Sequence, residues 1–275
     1  LDKVEGDPSL LKKRPLFMLE DLLKLEDVVH EGRYSAPCKK YGLLDGAQYG
    51  FVDGSSTDIP IFITSQLFEH ARISRTELHI LLMDQHHAFD ALDPLTGKLL
   101  SARRMGFPTS EAKRFIAKDS SIVGDIETAD GRTSIILDGD SGLVCRGTGC
   151  VQGGPRSPAH WNRAYDAAIE AQHQPHPGKS AYLPLETCDD VGIATSTDQV
   201  QIDITAYADD SRAPAGNTTN LLARGATAVD WSKYSGVVLS TPKSLHSRLT
   251  FDEEGVLLPN TEGNITLEDP ASGAQ

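Results

Sequence analysis

The sequence runs to 275 residues, 39% of them hydrophobic, enough to bury the core of one large domain or two small ones. A formal charge of −13 and a pI near 5.1 argue against a broad phosphate-binding surface, because affinity for nucleic acid is mostly cationic. No apolar run reaches the roughly 18 residues of a membrane span, and no signal-peptide pattern follows Leu1, so an intracellular protein with no membrane contact is expected. The start at Leu suggests a fragment. Cys38, Cys145, Cys150 and Cys188 are scattered without C-x-x-C spacing, which implies neither a zinc site nor a disulfide framework.

Residues 1–13 are polar and end in Lys12 and Lys13. Arg14-Pro15 then opens a helical pattern, with proline at a first helical position. Leu16, Leu19, Leu22, Leu23, Leu25, Val28 and Val29 recur at helical spacing and predict an amphipathic helix packed on a core. Gln48-Tyr49-Gly50-Phe51 and Gly54-Ser55 follow, and Ser56-Thr57-Asp58 caps a helix over 59–70 with Pro60 in its first turn. A hydrophobic strand over 79–83 runs into Asp84. A helix from Pro94 reaches Arg104, with Gly106 as its stop signal, and 110–123 reads as another helix. Residues 128–144, with turns at Asp130-Gly131 and Asp138-Gly139, predict a β-hairpin. Gln152-Gly153 opens a glycine-rich turn, after which Ser157-Pro158 starts a helix over 159–171 carrying Trp161 and Tyr165 on one side. His86 and His87 are adjacent, so their side chains diverge and they do not read as metal ligands.

Further along, Val200, Ile202 and Ile204 alternate with Gln201, Asp203 and Thr205, the period of a half-buried strand. That strand leads into Ala206-Tyr207-Ala208-Asp209-Asp210, which places two carboxylates at a turn. Neighbouring carboxylates repel unless a cation is present, and hard divalent ions such as Mg²⁺ take that oxygen set; a solvated Asp-Asp loop is the plainer alternative. Pro214 argues against a regular return strand. A helix over 221–234, interrupted near Gly225, precedes Lys243, and a short hairpin around Glu254-Gly255 leads to a disordered tail.

Three segments stand in a fixed order: Asp84-Gln85-His86-His87-Ala88-Phe89-Asp90, then Gly149 to Pro158 with Asn162 after it, then Tyr207-Ala208-Asp209-Asp210. In these the chain resembles reverse transcriptases of the non-LTR retrotransposon type, which carry D-x-x-x-A-F-D, G-x-x-Q-G-x-P-x-S-P-x-x-x-N and Y-A-D-D in that order. Arg14-Pro15-Leu16 and the stretch from Gly236 to Ser244 extend the likeness over residues 14–258. The chain departs where the family shows Q-x-G-F-R-x-x-R-S-T, since Val52 and Ser55 replace the two basic residues.

The resemblance implies an α+β fold: a right-hand polymerase palm, an antiparallel sheet backed by helices, with mixed fingers and the thumb absent. Fingers would occupy 1–75, the palm 76–258 with a fingers insertion around 95–148, and a disordered tail 259–275. The implied activity is RNA-directed DNA polymerisation, with Asp84, Asp209 and Asp210 as catalytic residues and ligands of two Mg²⁺ (or Mn²⁺) ions. Arg14 would meet the incoming triphosphate, Phe89 would exclude a 2′-hydroxyl, and Gln152 would pack on the nucleotide. Gly153 would let backbone approach it, and Lys243 would stand near the leaving pyrophosphate. Implied partners are an RNA template, a DNA primer, dNTPs, and a thumb and other domains of a longer parent protein, nuclear in a eukaryotic host. Two other readings stand beside this one. A viral RNA-copying RNA polymerase shares the palm but usually carries Gly-Asp-Asp. A degenerate or co-opted retroelement fragment without activity would account for Val52, Ser55, Pro214 and the acidic balance.

Overall fold

The computed structural model describes residues 21–120, 123–124, 126–128, 131–133, 144–145, 149–150, 154–188, 194–240 and 243–258. The expected helix start at Arg14-Pro15, the turn at Asp138-Gly139, Gln152, Gly153 and the tail 259–275 lie outside these residues. In chain order, helices α1 (Asp21–Tyr41) and α2 (Asp58–Ser74) precede strands β1 (Leu78–Met83) and β2 (Gln85–His86). Then come a short helix α3 (Ala88–Ala91), a π-helical stretch Pro94–Leu100, α4 (Ser101–Arg104) and α5 (Thr109–Ser120). Strands β3 (Val123–Gly124), β4 (Ile126–Thr128), β5 (Gly131–Thr133) and β6 (Val144–Cys145) lead to α6 (Ser157–His173). The chain continues through β7 (Ala181–Cys188), β8 (Ala194–Ile202), β9 (Thr205–Tyr207), β10 (Asp210–Ala215), α7 (Thr218–Ser235), β11 (Val238–Leu239) and β12 (Leu245–Leu249). The class is α+β, and no described helix is long and apolar enough to cross a membrane.

Two compact units divide these elements. One comprises Leu1–Leu44, His87–Ala164 and Tyr234–Val237; the other comprises Asp45–His86, Tyr165–Lys233 and Val238–Gln275. Residues 45–74, assigned to the fingers from sequence, group with the second unit.

The second unit is built on a four-stranded antiparallel sheet in the order β12-β1-β10-β9. Strand β1 reads Leu-His-Ile-Leu-Leu-Met, nearly all apolar, as expected of a strand covered on both faces. On one face Leu78, Ile80 and Leu82 pack against Leu67 and Ala71 of α2, together with Ala181, Leu183 and Ile202 of the β7–β8 hairpin. On the other face, the C-terminal part of α6 supplies Tyr165, whose hydroxyl meets Ser211 Oγ at 2.7 Å and whose ring stands edge-on to Trp231 of α7.

Three expectations change here. The single strand over 200–205 is two strands, because β8 ends at Ile202 in its pairing with β7 and β9 begins at Thr205 in the main sheet. Between them, Arg224 takes both the carbonyl of Asp203 (3.0 Å) and its carboxylate (2.5 Å), which removes that residue from any ladder. Pro214 does stand inside a strand, opposite Ile80. Strand β9 covers β10 only from Asp210 to Arg212, so at Pro214 one side of the strand has no ladder to lose. Helix α7 runs through Gly225 without a break.

The first unit is mostly helical. The sequence pattern predicts that Leu22, Leu25, Val28 and Val29 face a core; instead Leu22 is 78% and Leu25 61% exposed, and Val28 and Val29 are also exposed. The buried face of α1 is the polar row Asp27, His30, Tyr34 and Cys38. Ion pairs select that face: Lys118 meets Glu26 at 2.8 Å and Asp27 at 2.9 Å, Arg156 meets Asp27 at 3.4 Å, and Arg163 meets Glu31 at 3.2 Å. A buried charge left without a partner is costly, so these pairs outrank apolar periodicity. The helix from Pro94 opens as a π-helix capped by Asp93 Oδ1, which accepts from Leu95 N and Thr96 N. Where a hairpin over 128–144 is expected, the described residues show β4 paired with β5 and β3 with β6, while residues 129–130 and 134–143 lie outside the described residues.

Candidate active site

The end of the sheet in the second unit carries the charged residues that the sequence singles out. Strand alternation decides which of them share a face. Register pairs Leu82 with Arg212, Arg212 with Thr205, and Asp210 with Tyr207. One step beyond the pair Met83–Ser211, Asp84 therefore comes beside Asp210 on the face of Leu82 and Arg212. Lys243 Nζ closes on the Asp84 carboxylate at 3.4 Å. These residues line a cleft of about 320 Å³, bounded by Thr57, Pro60 and Ile61 from the start of α2 and by Leu245.

The turn that presents the Asp pair has a two-residue loop, Ala208-Asp209, between Tyr207 and Asp210. Ala208 takes φ 58°, a left-handed value that an L-residue adopts only when its surroundings hold it there. Gln48 supplies that hold. Its Nε2 donates to Ala208 O at 3.2 Å, while its Oε1 accepts from Ala208 N at 3.0 Å and from Gly50 N at 2.9 Å. Backbone bonds from Ala206 N to Ala47 O and from Tyr49 N to Ala206 O, both 2.8 Å, lay this segment alongside the turn. Residue 50 is glycine for a steric reason: a Cβ there would lie 2.2 Å from Ala208 N. Sequence reasoning assigned no role to Gln48 or Gly50; the Gln-x-Gly spacing was the available signal.

Electrostatics mark the same end of the sheet. Partial loss of water, and then the Asp84 carboxylate, push the Asp210 carboxyl above its ordinary range, against the pull of Lys243 and Arg212. Burial raises the Tyr165 hydroxyl, and the charges of Asp209 and Asp210 add to that. Two crowded carboxylates are a donor set that suits a hard divalent cation. Asp84 and Asp210 come together at the end of the sheet, and the sequence expectation adds Asp209 as a third carboxylate. No group of three His, Cys, Asp or Glu side chains disposed to hold a metal occurs among the described residues.

A second polar centre, missed from sequence, lies where β8 gives way to β9. The fully buried Arg224 donates to Asp203 Oδ1 and O, to Gln172 O at 3.0 Å and to Asn220 Oδ1 at 2.8 Å. His173 bridges Asp203 and Asp45, each at 3.1 Å. Burial pulls the His173 imidazolium down, but these two carboxylates outweigh it and hold the ring above its ordinary value.

The remaining candidates belong to the first unit. Phe89 lies on α3 against Trp161, with ring centroids 5.5 Å apart. The start of the glycine-rich segment is fastened to that helix: Gly149 N donates to Leu92 O at 2.8 Å and Cys150 N to Phe89 O at 2.5 Å. Gly149 has φ 79°, and a Cβ there would meet Asp90 O at 2.4 Å, so only glycine fits. Arg14, Gln152 and Gly153 lie outside the described residues.

The fold defined by this sheet and its helices is shared with telomerase. Telomerase from Candida tropicalis in complex with a TWJ fragment of telomeric RNA superposes with a TM-score of 0.50 at 12% identity, over 86% of this chain and 34% of that one. Apo telomerase from the same organism gives 0.50 at 10% identity, over 85% and 37%. The chain thus spans about a third of the length of these telomerase chains. No protein-family model and no curated protein matches it.

Proposed function

We propose that this chain is the nucleotidyl-transfer core of a reverse transcriptase of the non-LTR retrotransposon type, extending a DNA primer on an RNA template. The observation that carries the reading is the meeting of Asp84 and Asp210 on one face at the end of the sheet, with Lys243 on Asp84. In this reading Asp84, Asp209 and Asp210 would hold Mg²⁺, which when bound lowers the pKa of the attacking hydroxyl and neutralises the phosphoryl oxygens. The chain's own residues position and select. Gln48 fixes the turn that carries Asp209, so the carboxylates are set before substrate arrives. The Phe89 ring would exclude a ribose 2′-hydroxyl sterically, Gln152 would pack on the incoming nucleotide, and Gly153 would permit close approach of the backbone to it. Arg14 and Lys243 meet the triphosphate, Arg14 through the forked geometry of its guanidinium.

A catalytically silent relative is the second reading, favoured by Val52 and Ser55 at positions where the family is basic and by the lack of a three-carboxylate group among the described residues. Primer extension decides between them. The chain is assayed with Mg²⁺ on an RNA template, both alone and joined to the thumb of an active reverse transcriptase, beside an Asp209→Ala control. The expected result is little extension by the chain alone and dNTP-dependent extension by the joined protein that the control abolishes. Absence of extension in both forms, with the fold intact, would overturn the polymerase reading.

A further inference from the structure

His173 closes helix α6 and stands between two acids that are remote in sequence. Its Nε2 meets Asp45 Oδ2 and its Nδ1 meets Asp203 Oδ2, each at 3.1 Å. Both acids bear on the turn that presents Asp209 and Asp210. Asp203 lies just before β9, the strand that runs into that turn. Asp45 opens the segment that clamps it. Asp45 Oδ1 accepts from Ala47 N at 2.8 Å, Ala47 O accepts from Ala206 N, and Gln48 holds Ala208 through its N–H and its carbonyl. The ring therefore ties the base of β9 to the root of the clamp.

Only an imidazolium makes that tie in full. A carboxylate accepts and does not donate, so bridging two of them needs an N–H on each ring nitrogen. A neutral ring keeps one N–H and turns a lone pair on the other acid, so half of the bridge is lost whichever acid keeps the proton. The surroundings favour the charged form. His173 is the last residue of its helix, where the dipole attracts a cation. Asp45 and Asp203 face the ring; Asp166 on α6 accepts from Asp45 N at 2.6 Å, and Arg224 on α7 pairs with Asp203. His176, in the loop after α6, is held below its ordinary value by burial and by Arg224, so it adds no opposing charge at neutral pH. With 36% of its side chain exposed, the His173 ring exchanges its proton with water. We propose that His173, charged and donating from both nitrogens, is a positioning residue for the carboxylate turn: it latches the segment 45–50 to β9, and loss of its proton releases the latch. That the turn serves nucleotidyl transfer rests on the polymerase reading; the latch itself does not.

The two acids hold the ring above its ordinary value, so its contribution to stability is full below the unfolded pKa and is lost as pH rises through the folded one. Amide exchange, corrected at each pH for the intrinsic rate, reads the latch in wild type, His173→Gln and Asp45→Asn. The reporters are the N–H groups of Gly50 and Ala208, which donate to Gln48, with the ladder of β1 and β10 as reference. Protection at the reporters is expected to fall about tenfold in either variant near pH 6, the worth of one charged hydrogen bond. In wild type it should fall by the same factor between about pH 6 and pH 9 while the reference is unchanged. Equal losses at reporters and reference would make His173 a general stabiliser and overturn the proposal, as would wild-type protection that ignores pH. Primer extension by the thumb-joined protein is the second measurement. The kcat of wild type relative to His173→Gln should fall from about tenfold near pH 6 to near parity at about pH 9, and a flat ratio would also overturn the proposal. If the reporters respond as expected but no form extends a primer at any pH, the latch stands and the polymerase reading falls.

Discussion

Asp203 and Asp210 flank the short strand β9 and the turn after it, and their surroundings drive their protons in opposite directions. Asp203 is buried, and burial alone would raise its carboxyl; hydrogen bonds from Gln201 (2.6 Å), His173 (3.1 Å) and Arg224 (2.5 Å) outweigh that and hold it below the ordinary range. Asp210 is exposed, yet partial desolvation and the Asp84 carboxylate push it up, and Lys243 and Arg212 do not cancel the crowding. An acid whose two oxygens are both hydrogen-bonded by the protein is complete without a ligand. An acid crowded by a like charge at the mouth of a cleft is not, and that asymmetry separates structural carboxylates from those of a working site.

The largest test of the comparison removes the partner of the satisfied acid. Arg224→Met takes the guanidinium from the Asp203 carboxylate, which keeps only Gln201 and His173, and from the carbonyls of Asp203 and Gln172. Loss of one member of a buried pair costs about 3–5 kcal/mol, and urea denaturation should show a loss of that order. Replacing Asp203 by Leu in the same chain should recover part of it, because the stranded charge goes too. A loss under about 1 kcal/mol for Arg224→Met would break the contrast from the structural side.

Next in size is the support under the Asp turn. Gly50→Ala puts a Cβ 2.2 Å from Ala208 N, against backbone that cannot rotate away. Overpacking of this kind costs about 1–3 kcal/mol, read as a lower urea midpoint. The strain falls on the turn itself, so primer extension by the thumb-joined protein should fall by more than the population of folded protein does. Equal losses would mean that the Gln48–Gly50 segment holds the unit together but does not position the carboxylates.

These two sites also divide what the sequence discloses from what it withholds. Strand β1, helix α2 and the order of the three motif segments were legible, because apolar period and short-range motifs are local properties of the chain. The Gln48 clamp was not, since its partner Ala208 is remote in sequence and a buried glutamine has no periodic signature. Arg224 was hidden for the same reason: inside a helical pattern an arginine reads as solvent-exposed, and only the fold brings Asp203 and Gln172 to it. The exposed Leu22 and Leu25 on α1 show the converse failure. Apolar period implies burial there, whereas ion pairs to Glu26, Asp27 and Glu31 choose the other face.

The smallest predicted effect bears on the crowded acid. The folded-state pKa of Asp210 lies above its unfolded value of 3.8, so the folded protein binds the proton more tightly than the unfolded chain does. The contribution of Asp210 to stability is therefore greatest in acid and declines as pH rises through the elevated folded pKa. At neutral pH its ionised form opposes folding, because it adds a charge beside Asp84. Asp210→Asn removes that charge. The variant should be more stable than wild type at pH 7, by no more than about 1 kcal/mol since water screens an exposed site. The advantage should vanish as pH falls and wild type itself becomes protonated. Urea midpoints for both proteins between pH 4 and pH 8 test the sign. Mg²⁺ sharpens the result, because a cation bound at Asp84 and Asp210 stabilises the folded state by mass action and should narrow or reverse the gap at pH 7. A variant less stable than wild type at pH 7 without Mg²⁺ would place Asp210 with Asp203 among the satisfied acids, and the contrast on which the site assignment leans would be lost.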